Sequence, residues 1–255
     1  MINQNIAMQT LVRKEVTRVF RIWKQTILPP VVTSVLYFLI FGSFIGSQIQ
    51  DISGVSYMQF IIPGLMMMGA ITASYANVSS SFFGAKFQKS IEEILVSPMH
   101  DWMIIIAYVL GGIIRGVIIG VIVFIVSLFF TDISLSHPII TLLFLFFTSS
   151  LFGLLGLFNG FFAKSFDDVN IIPTFVITPM IYLGGVFYSL EFLSPFWQTV
   201  SHFNPIFYMV DGLRYGLLGV AEMPTYLSLG AIIAFNIIFF FINLRLMKKG
   251  YGLRS

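Results

Sequence analysis

The chain has 255 residues, 57% of them hydrophobic and only 10% charged, with a formal net charge of +3. Water-soluble domains carry about a quarter charged residues, so water could not solvate an exterior built from this composition, whereas lipid could. The absence of cysteine excludes disulfides, thiolate metal sites and cysteine nucleophiles. No basic patch is interleaved with solvent-facing aromatics, which excludes nucleic acid as a partner.

Residues 1–28 are basic and lack the compact apolar core of a cleavable signal peptide, so the first span is expected to act as an uncleaved signal-anchor. Val12, Val16, Val19, Phe20, Trp23 and Ile27 recur at helical spacing, with Arg13, Lys14, Arg18, Arg21 and Lys24 on the other faces. That pattern predicts a helix lying flat at the membrane surface, its cations near anionic headgroups. A charge cluster that only sets topology is the alternative. Pro29 and Pro30 are expected to break this helix before the first span.

Six spans follow, at about Pro30–Ile49, Tyr57–Phe83, Ile104–Phe130, Ile139–Ala163, Ile171–Phe187 and Tyr226–Met247. The second carries Thr72, Ser74, Tyr75, Asn77, Ser79, Ser80 and Ser81, which suit either a polar path or hydrogen bonds between helices. After it, residues 85–98 predict a short amphipathic helix. Phe87, Ile91, Ile94 and Leu95 form its apolar stripe, Lys86, Lys89, Glu92 and Glu93 cover the rest, and Pro98 stops it. Such a helix can dock in a groove on a partner or rest on its own bundle.

The third span holds Gly112, Gly116 and Gly120 on one face, a spacing that permits close helix packing within or between subunits. It also holds Arg115, which must pair, snorkel to the interface or face water. Tyr75, Asn77, Arg115, Asn159 and Tyr182 are the candidate residues for a pathway or a dimer interface. Asp167 and Asp168 precede the fifth span, where negative charge suits a helix N-terminus. Residues 188–219 are apolar but broken and too short for two spans. Ser194-Pro195 and Asn204-Pro205 each offer an N-cap followed by proline, and Asp211 and Arg214 are spaced for a pair on one helix face. The expectation is a re-entrant hairpin dipping into the outer leaflet, and the alternative is a surface loop.

Basic residues fix an orientation. Of the 14, Arg13, Lys14, Arg18, Arg21, Lys24, Lys86, Lys89, Lys164, Arg245, Lys248, Lys249 and Arg254 fall on one side when six spans are threaded. Both termini are therefore expected in the cytoplasm. No G-x-x-x-x-G-K-[ST] or H-E-x-x-H motif occurs, and His100, His137 and His202 are scattered, so neither nucleotide binding through that loop nor zinc chemistry is expected in this chain.

QFIIPGLMMM (Gln59–Met68), SSFFGAKFQKSIEEILVSP (Ser80–Pro98), AKSFDDVNIIPTFVITPMIYLGGVFYSL (Ala163–Leu190) and FNPIFYMVDGLRYGLLG (Phe203–Gly219) resemble, in order and spacing, the ABC-2 type permease family. The resemblance runs nearly the whole chain and is nearest the bacterial inner-membrane permeases of the YadH type. It implies an all-α polytopic fold of the type V exporter kind. An amphipathic connecting helix would carry Arg13, Arg18, Arg21 and Trp23. A coupling helix would contact the ATPase through Lys86, Phe87, Lys89, Ile91, Glu92, Glu93 and Leu95, and a re-entrant hairpin would span Tyr188–Gly219. It further implies two copies of the permease and two ATP-binding subunits, which would hold the ATP and magnesium, in the bacterial cytoplasmic membrane. The function implied is export of an amphipathic, lipid-like or glycan substrate. A membrane scaffold or sensor, or an intramembrane enzyme, is the competing reading.

Overall fold

The computed structural model describes residues 4–46, 49, 51, 52 and 54–253. Ser47 and Gln48, at the end of the first expected span, and Arg254, in the basic count, lie outside the described residues. Among the described residues the chain is helical, apart from one isolated bridge between Ile52 and Val55.

Helix α1 (Gln4–Arg21) leads into α2 (Trp23–Tyr37), which continues as a wider π-helical stretch over Phe38–Ile45. Helix α3 covers Tyr57–Phe87, α4 Ile91–Val96, α5 Asp101–Ser127 and α6 Pro138–Phe162. A run from Phe166 to Tyr182 comprises α7 (Phe166–Ile172), a π-helical turn at Pro173–Ile177 and α8 (Thr178–Tyr182). Helices α9 (Pro195–His202), α10 (Pro205–Leu218) and α11 (Thr225–Lys249) complete the chain. Among the described residues, five helices are long and apolar enough to cross a membrane: Trp23–Gly42, α3, α5, α6 and α11. Large apolar side chains such as Val32, Ile40, Ile125, Phe146, Ile238 and Phe241 face outwards, as a lipid environment requires.

Helix α3 is the centre of the bundle, 78% buried over its most apolar window against 22% for α2 and α11. Its start is fixed by a capping box, in which the Gln59 N–H donates to Ser56 Oγ and the Ser56 N–H to Gln59 Oε1. Lipid tails give helices no hydrophobic reason to associate, so close packing through small residues holds such a bundle together. The glycine stripe of α5 serves this purpose inside the chain. A Cβ on Gly116 would collide with Ser74 of α3 and Ser149 of α6, and one on Gly112 would lie 2.6 Å from a Val78 methyl. Gly156 of α6 packs still closer to backbone, since its Cβ would meet the Tyr75 carbonyl oxygen at 2.6 Å. Gly156→Ala is expected to destabilise the chain by about 1–3 kcal/mol through separation of α3 and α6. Gly230→Ala, with nothing within 4 Å, should be neutral or slightly stabilising. Melting curves of the two variants in one detergent check this pair.

The structure corrects several expectations. Pro29 and Pro30 lie inside α2, and the chain bends earlier, at Ile22, where bonds from Ile22 N to Arg18 O and from Thr26 N to Ile22 O carry the hydrogen-bond ladder through. A helix packed among neighbours tolerates the two missing donors. The buried line of α1 is Leu11, Glu15 and Val19, while Phe20 and Trp23 are exposed, so a carboxylate sits in the face expected to be wholly apolar. The helix expected over residues 85–98 is divided. Helix α3 runs on to Phe87, Gln88–Ser90 turn with Lys89 at a left-handed φ of 59°, and only Ile91–Val96 form the separate helix. The fifth helix begins at Phe166, five residues before its expected start, because Ser165 and Asp168 form a capping box there. It ends at Tyr182, where Gly184 and a left-handed Gly185 turn the chain. Asn204 caps α10 by accepting from the Ile206 N–H, but Ser194 makes no side-chain cap bond to α9.

Candidate coupling surface and polar cavity

The connections gather at two ends. At the basic end, Leu11 of α1, Ile91 of α4, Ile104 of α5, and Met247 and Leu253 near the C-terminus share one apolar cluster. At the other end the Tyr57 hydroxyl donates to the Phe187 carbonyl at 3.1 Å, Gln59 to the Asp132 carbonyl at 2.8 Å, and the His137 N–H to the Gly216 carbonyl at 2.7 Å.

Helix α1 is bolted to the bundle by a buried polar pair. Glu15 is fully buried, and Ser81 of α3 donates to its Oε2 at 2.7 Å. Arg18, one turn on, lies 3.8 Å from the same oxygen and donates to the Asn77 carbonyl at 2.6 Å and to Asn77 Oδ1 at 3.1 Å. The pair fits because α5 has no side chain opposite it: a Cβ on Gly111 would lie 2.9 Å from Glu15 Cβ. Burial pushes the Glu15 carboxyl above its ordinary range, opposed by the Ser81 hydrogen bond and the Arg18 charge. Arg18 is correspondingly lowered, chiefly by burial. Sequence periodicity passed over Glu15. The signal that finds it is a carboxylate four residues from both Leu11 and Val19 and three before Arg18. Arg13, Arg21 and Trp23 stay exposed on the outer faces, and Arg13 and Arg21 border a basic groove with Thr10, Lys14, Thr17 and Arg18.

Helix α4 hangs from this platform by Ile91, which is 1% exposed. Lys89, Glu92, Glu93 and Leu95 are exposed beside it, and Val96 is 87% exposed. Phe87 belongs to the end of α3, where its ring meets Phe83 at 6.1 Å and Phe166 at 5.2 Å while remaining largely exposed. Lys86 turns inwards, donating to the carbonyls of Gly160, Phe161 and Ala163 at 3.4, 3.0 and 2.7 Å. A cation on the last carbonyls of α6 complements the negative end of that helix, so Lys86 is a cap and not part of the outward face. Asp168 accepts from the Lys164 and Ser165 N–H groups at 2.8 and 3.0 Å, which caps the start of α7.

A cavity of about 290 Å³ opens between α2, α3, α5 and α7, lined by Ile22, Gln25, Tyr75, Ala76, Ser79, Ser80, Arg115, Val169, Asn170 and Pro173. It joins two of the five candidate pathway residues, Tyr75 and Arg115. Asn159 lies just behind, donating to the Val169 carbonyl at 3.0 Å. Asn77 faces the other way, onto Arg18, and Tyr182 sits at the far end, where its ring stacks near Phe187 at 6.0 Å. Thr72, Ala76 and Ser80 form an exposed line on the mostly buried α3, so the cavity opens onto a strip of small side chains, two of them hydroxylic. Gln25 and Asn170 carry no pattern of their own in the sequence, because only the packing of α2 and α7 against α3 brings them together.

Near the opposite end, α10 is inserted into the bundle with Asp211 and Arg214 both buried. They lie 4.0 Å apart. Asp211 accepts from the Glu222 and Met223 N–H groups, while Arg214 donates to the Gly185 carbonyl at 2.7 Å and covers the Phe60 ring at 3.9 Å. The expected pair is present and ties α10 to its own loops and to α3. Among the described residues no group of His, Asp and Glu is arranged to hold a metal ion.

Comparison with known proteins agrees with this architecture. The family model for the ABC-2 type transporter matches residues 6–218. The inner membrane transport permease YadH of Escherichia coli (strain K12) is 52% identical over 250 residues, covering 98% of each chain. Nodulation protein J is 25% identical over 242 residues in Neorhizobium galegae, covering 91% of this chain and 90% of that protein, and 27% identical over 237 residues in Rhizobium meliloti (strain 1021), covering 89% and 88%. With several helices long enough to cross a lipid core, this is a multi-pass transport permease resembling inner-membrane relatives. The chain belongs to the ABC-2 type transporter family.

Proposed function

We propose that this chain is the membrane half of an ATP-driven exporter whose ATPase is a separate subunit. The observation that carries the reading is the basic end itself. An exposed α4 held by one buried residue, and an α1 bolted to α3 and α5 by Glu15 and Arg18, offer a partner two levers on the same bundle. Two copies of the permease would pair, with two ATP-binding subunits beneath them holding the ATP and magnesium. The run Phe166–Tyr182 would complete six crossings, placing both termini in the cytoplasm as the basic residues favour. Helices α9 and α10 would form the re-entrant hairpin from the outer side. Nucleotide-driven closure of the ATPases would push on Glu92, Glu93 and the α1 helix, and rigid-body motion of the spans would switch access from inside to outside. An amphipathic, lipid-like or glycan substrate would pass along the Thr72–Ala76–Ser80 strip, between the two copies.

Affinity purification of the tagged chain from its own membranes tests this. A nucleotide-binding subunit in one-to-one ratio, with ATP-dependent movement of a solute after reconstitution, is the expected outcome. A solitary chain with hydrolytic activity, or partner binding with no solute moved, would overturn it in favour of an enzyme or a scaffold.

A further inference from the structure

The cavity between α2, α3, α5 and α7 has a charge and a shape that narrow the ligand. Its lining contains one guanidinium, Arg115, together with the Tyr75, Ser79 and Ser80 hydroxyls and the Gln25 and Asn170 amides, and no aspartate or glutamate. Arg115 Nε is buried without a hydrogen-bond partner, and the hydroxyl of Tyr75, a residue only 1% exposed, has Asn159 as its neighbour but makes no hydrogen bond of ordinary length to it. Arg18 outside the lining is paired with Glu15, so Arg115 supplies the positive charge of the cavity, and no carboxylate on the wall cancels it. The terminal nitrogens of Arg115 are not enclosed, so they can reach a ligand as a snorkelling arginine reaches a headgroup, while Nε stays buried and unpaired. Buried donors left unpaired are costly, and an anion satisfies several at once. The remaining walls, Ile22, Ala76, Val169 and Pro173, are apolar and lead to the exposed, lipid-facing sides of α2 and the Phe166–Tyr182 run, where Leu28, Val32, Ile171 and Phe175 are exposed.

We propose that this cavity receives the anionic headgroup of an amphiphile, with Arg115 as its counter-charge, the Tyr75 hydroxyl as a second donor, and the apolar tail left between α2 and the Phe166–Tyr182 run. It rests on the reading that the chain moves an amphipathic solute and names the class: a phosphate- or carboxylate-headed amphiphile entering from the basic end.

The test is equilibrium binding of radiolabelled dodecyl phosphate to the full chain in phosphatidylcholine nanodiscs. The Arg115→Gln substitution is expected to weaken binding about tenfold or more and Tyr75→Phe about three- to fivefold, with Arg115→Lys within about threefold of the native chain. Dodecyltrimethylammonium should not compete. Inorganic phosphate should compete only weakly; competition equal to that of dodecyl phosphate would overturn the amphiphile and leave a site for a free anion. Equal binding by the native chain and Arg115→Gln, or competition by the cation, would overturn the proposal. The conservative Tyr75→Phe and Arg115→Lys variants keep the test usable should Arg115→Gln fail to fold. No ATPase is present in this assay. Binding that persists while coupling to an ATPase fails would count against the exporter and not against the site, and coupling without anion binding would remove the site alone.

Discussion

Changing both Glu92 and Glu93 to lysine is expected to lower permease-dependent stimulation of the ATPase, and transport with it, by about tenfold or more, with membrane insertion and melting unchanged. Both carboxylates are exposed on a six-residue helix whose hold on the bundle is Ile91, so reversing their sign leaves the packing in place. Surface substitutions of that kind stay within about 0.5 kcal/mol of the native stability. Against a partner, two reversed charges turn attraction into repulsion worth several kcal/mol, and each 1.4 kcal/mol is about a factor of ten. The Glu92→Gln, Glu93→Gln double variant separates the terms: loss of attraction alone should give an intermediate effect. Ile91→Ala is the contrasting case. It removes a residue only 1% exposed and should lower the melting temperature as well as the coupling. ATP hydrolysis and transport by reconstituted complexes measure all three variants, and full stimulation in the lysine variant would remove α4 from the coupling surface.

Long periodic stretches were legible in the sequence and short polar exceptions were not. The spans at Tyr57, Ile139 and Tyr226 begin within one residue of the observed helices because a capping box, a proline at the first helical position or a proline just before the helix marks each start. The fifth span was displaced because its start is set by Ser165 and Asp168, a short-range cap outside the apolar run that defined the prediction. Residues 85–98 read as one helix because Phe87 continues the apolar stripe of Ile91, Ile94 and Leu95, yet Lys89 takes a left-handed conformation that periodicity does not encode. Lys86 read as a partner-facing cation, but its role depends on the last carbonyls of α6, more than 70 residues away in the chain. In the same way, Tyr75 and Arg115 could be named as polar residues in spans. That they share a cavity with Gln25 and Asn170 depends on how four helices pack, which single-helix patterns do not contain.

Glu15→Ala should be the most destabilising of the polar changes at the basic end. The substitution strips Ser81 of its acceptor and leaves Arg18, whose side chain is 27% exposed, without its carboxylate. Removing one partner of a fully buried ion pair costs about 3–5 kcal/mol; with Arg18 partly solvated and still bonded to Asn77, about 2–3 kcal/mol is expected, or roughly 4–12 °C in melting temperature. Glu15→Gln, which keeps the shape and the Ser81 hydrogen bond, should lose much less and should change the pH dependence. Because burial raises the Glu15 carboxyl above its ordinary 4.5, the folded chain holds more protons than the unfolded chain between that value and the raised one. Stability contributed by this group therefore falls as pH rises through that window, and the penalty is fully present above it. The native slope minus that of Glu15→Gln isolates the contribution of this carboxyl. Hydrogen exchange of Gln4–Arg21, expressed as protection relative to the intrinsic amide rate at each pH, reads the local effect: greater protection at pH 5 than at pH 7 in the native chain, and no such difference in Glu15→Gln. If α1 is a lever, Glu15→Ala should also reduce coupling although it touches no partner-facing residue of α4, because a helix that has lost its bond to Ser81 passes a push to α3 less well. Faster exchange in α1 with coupling intact would leave α4 as the sole lever.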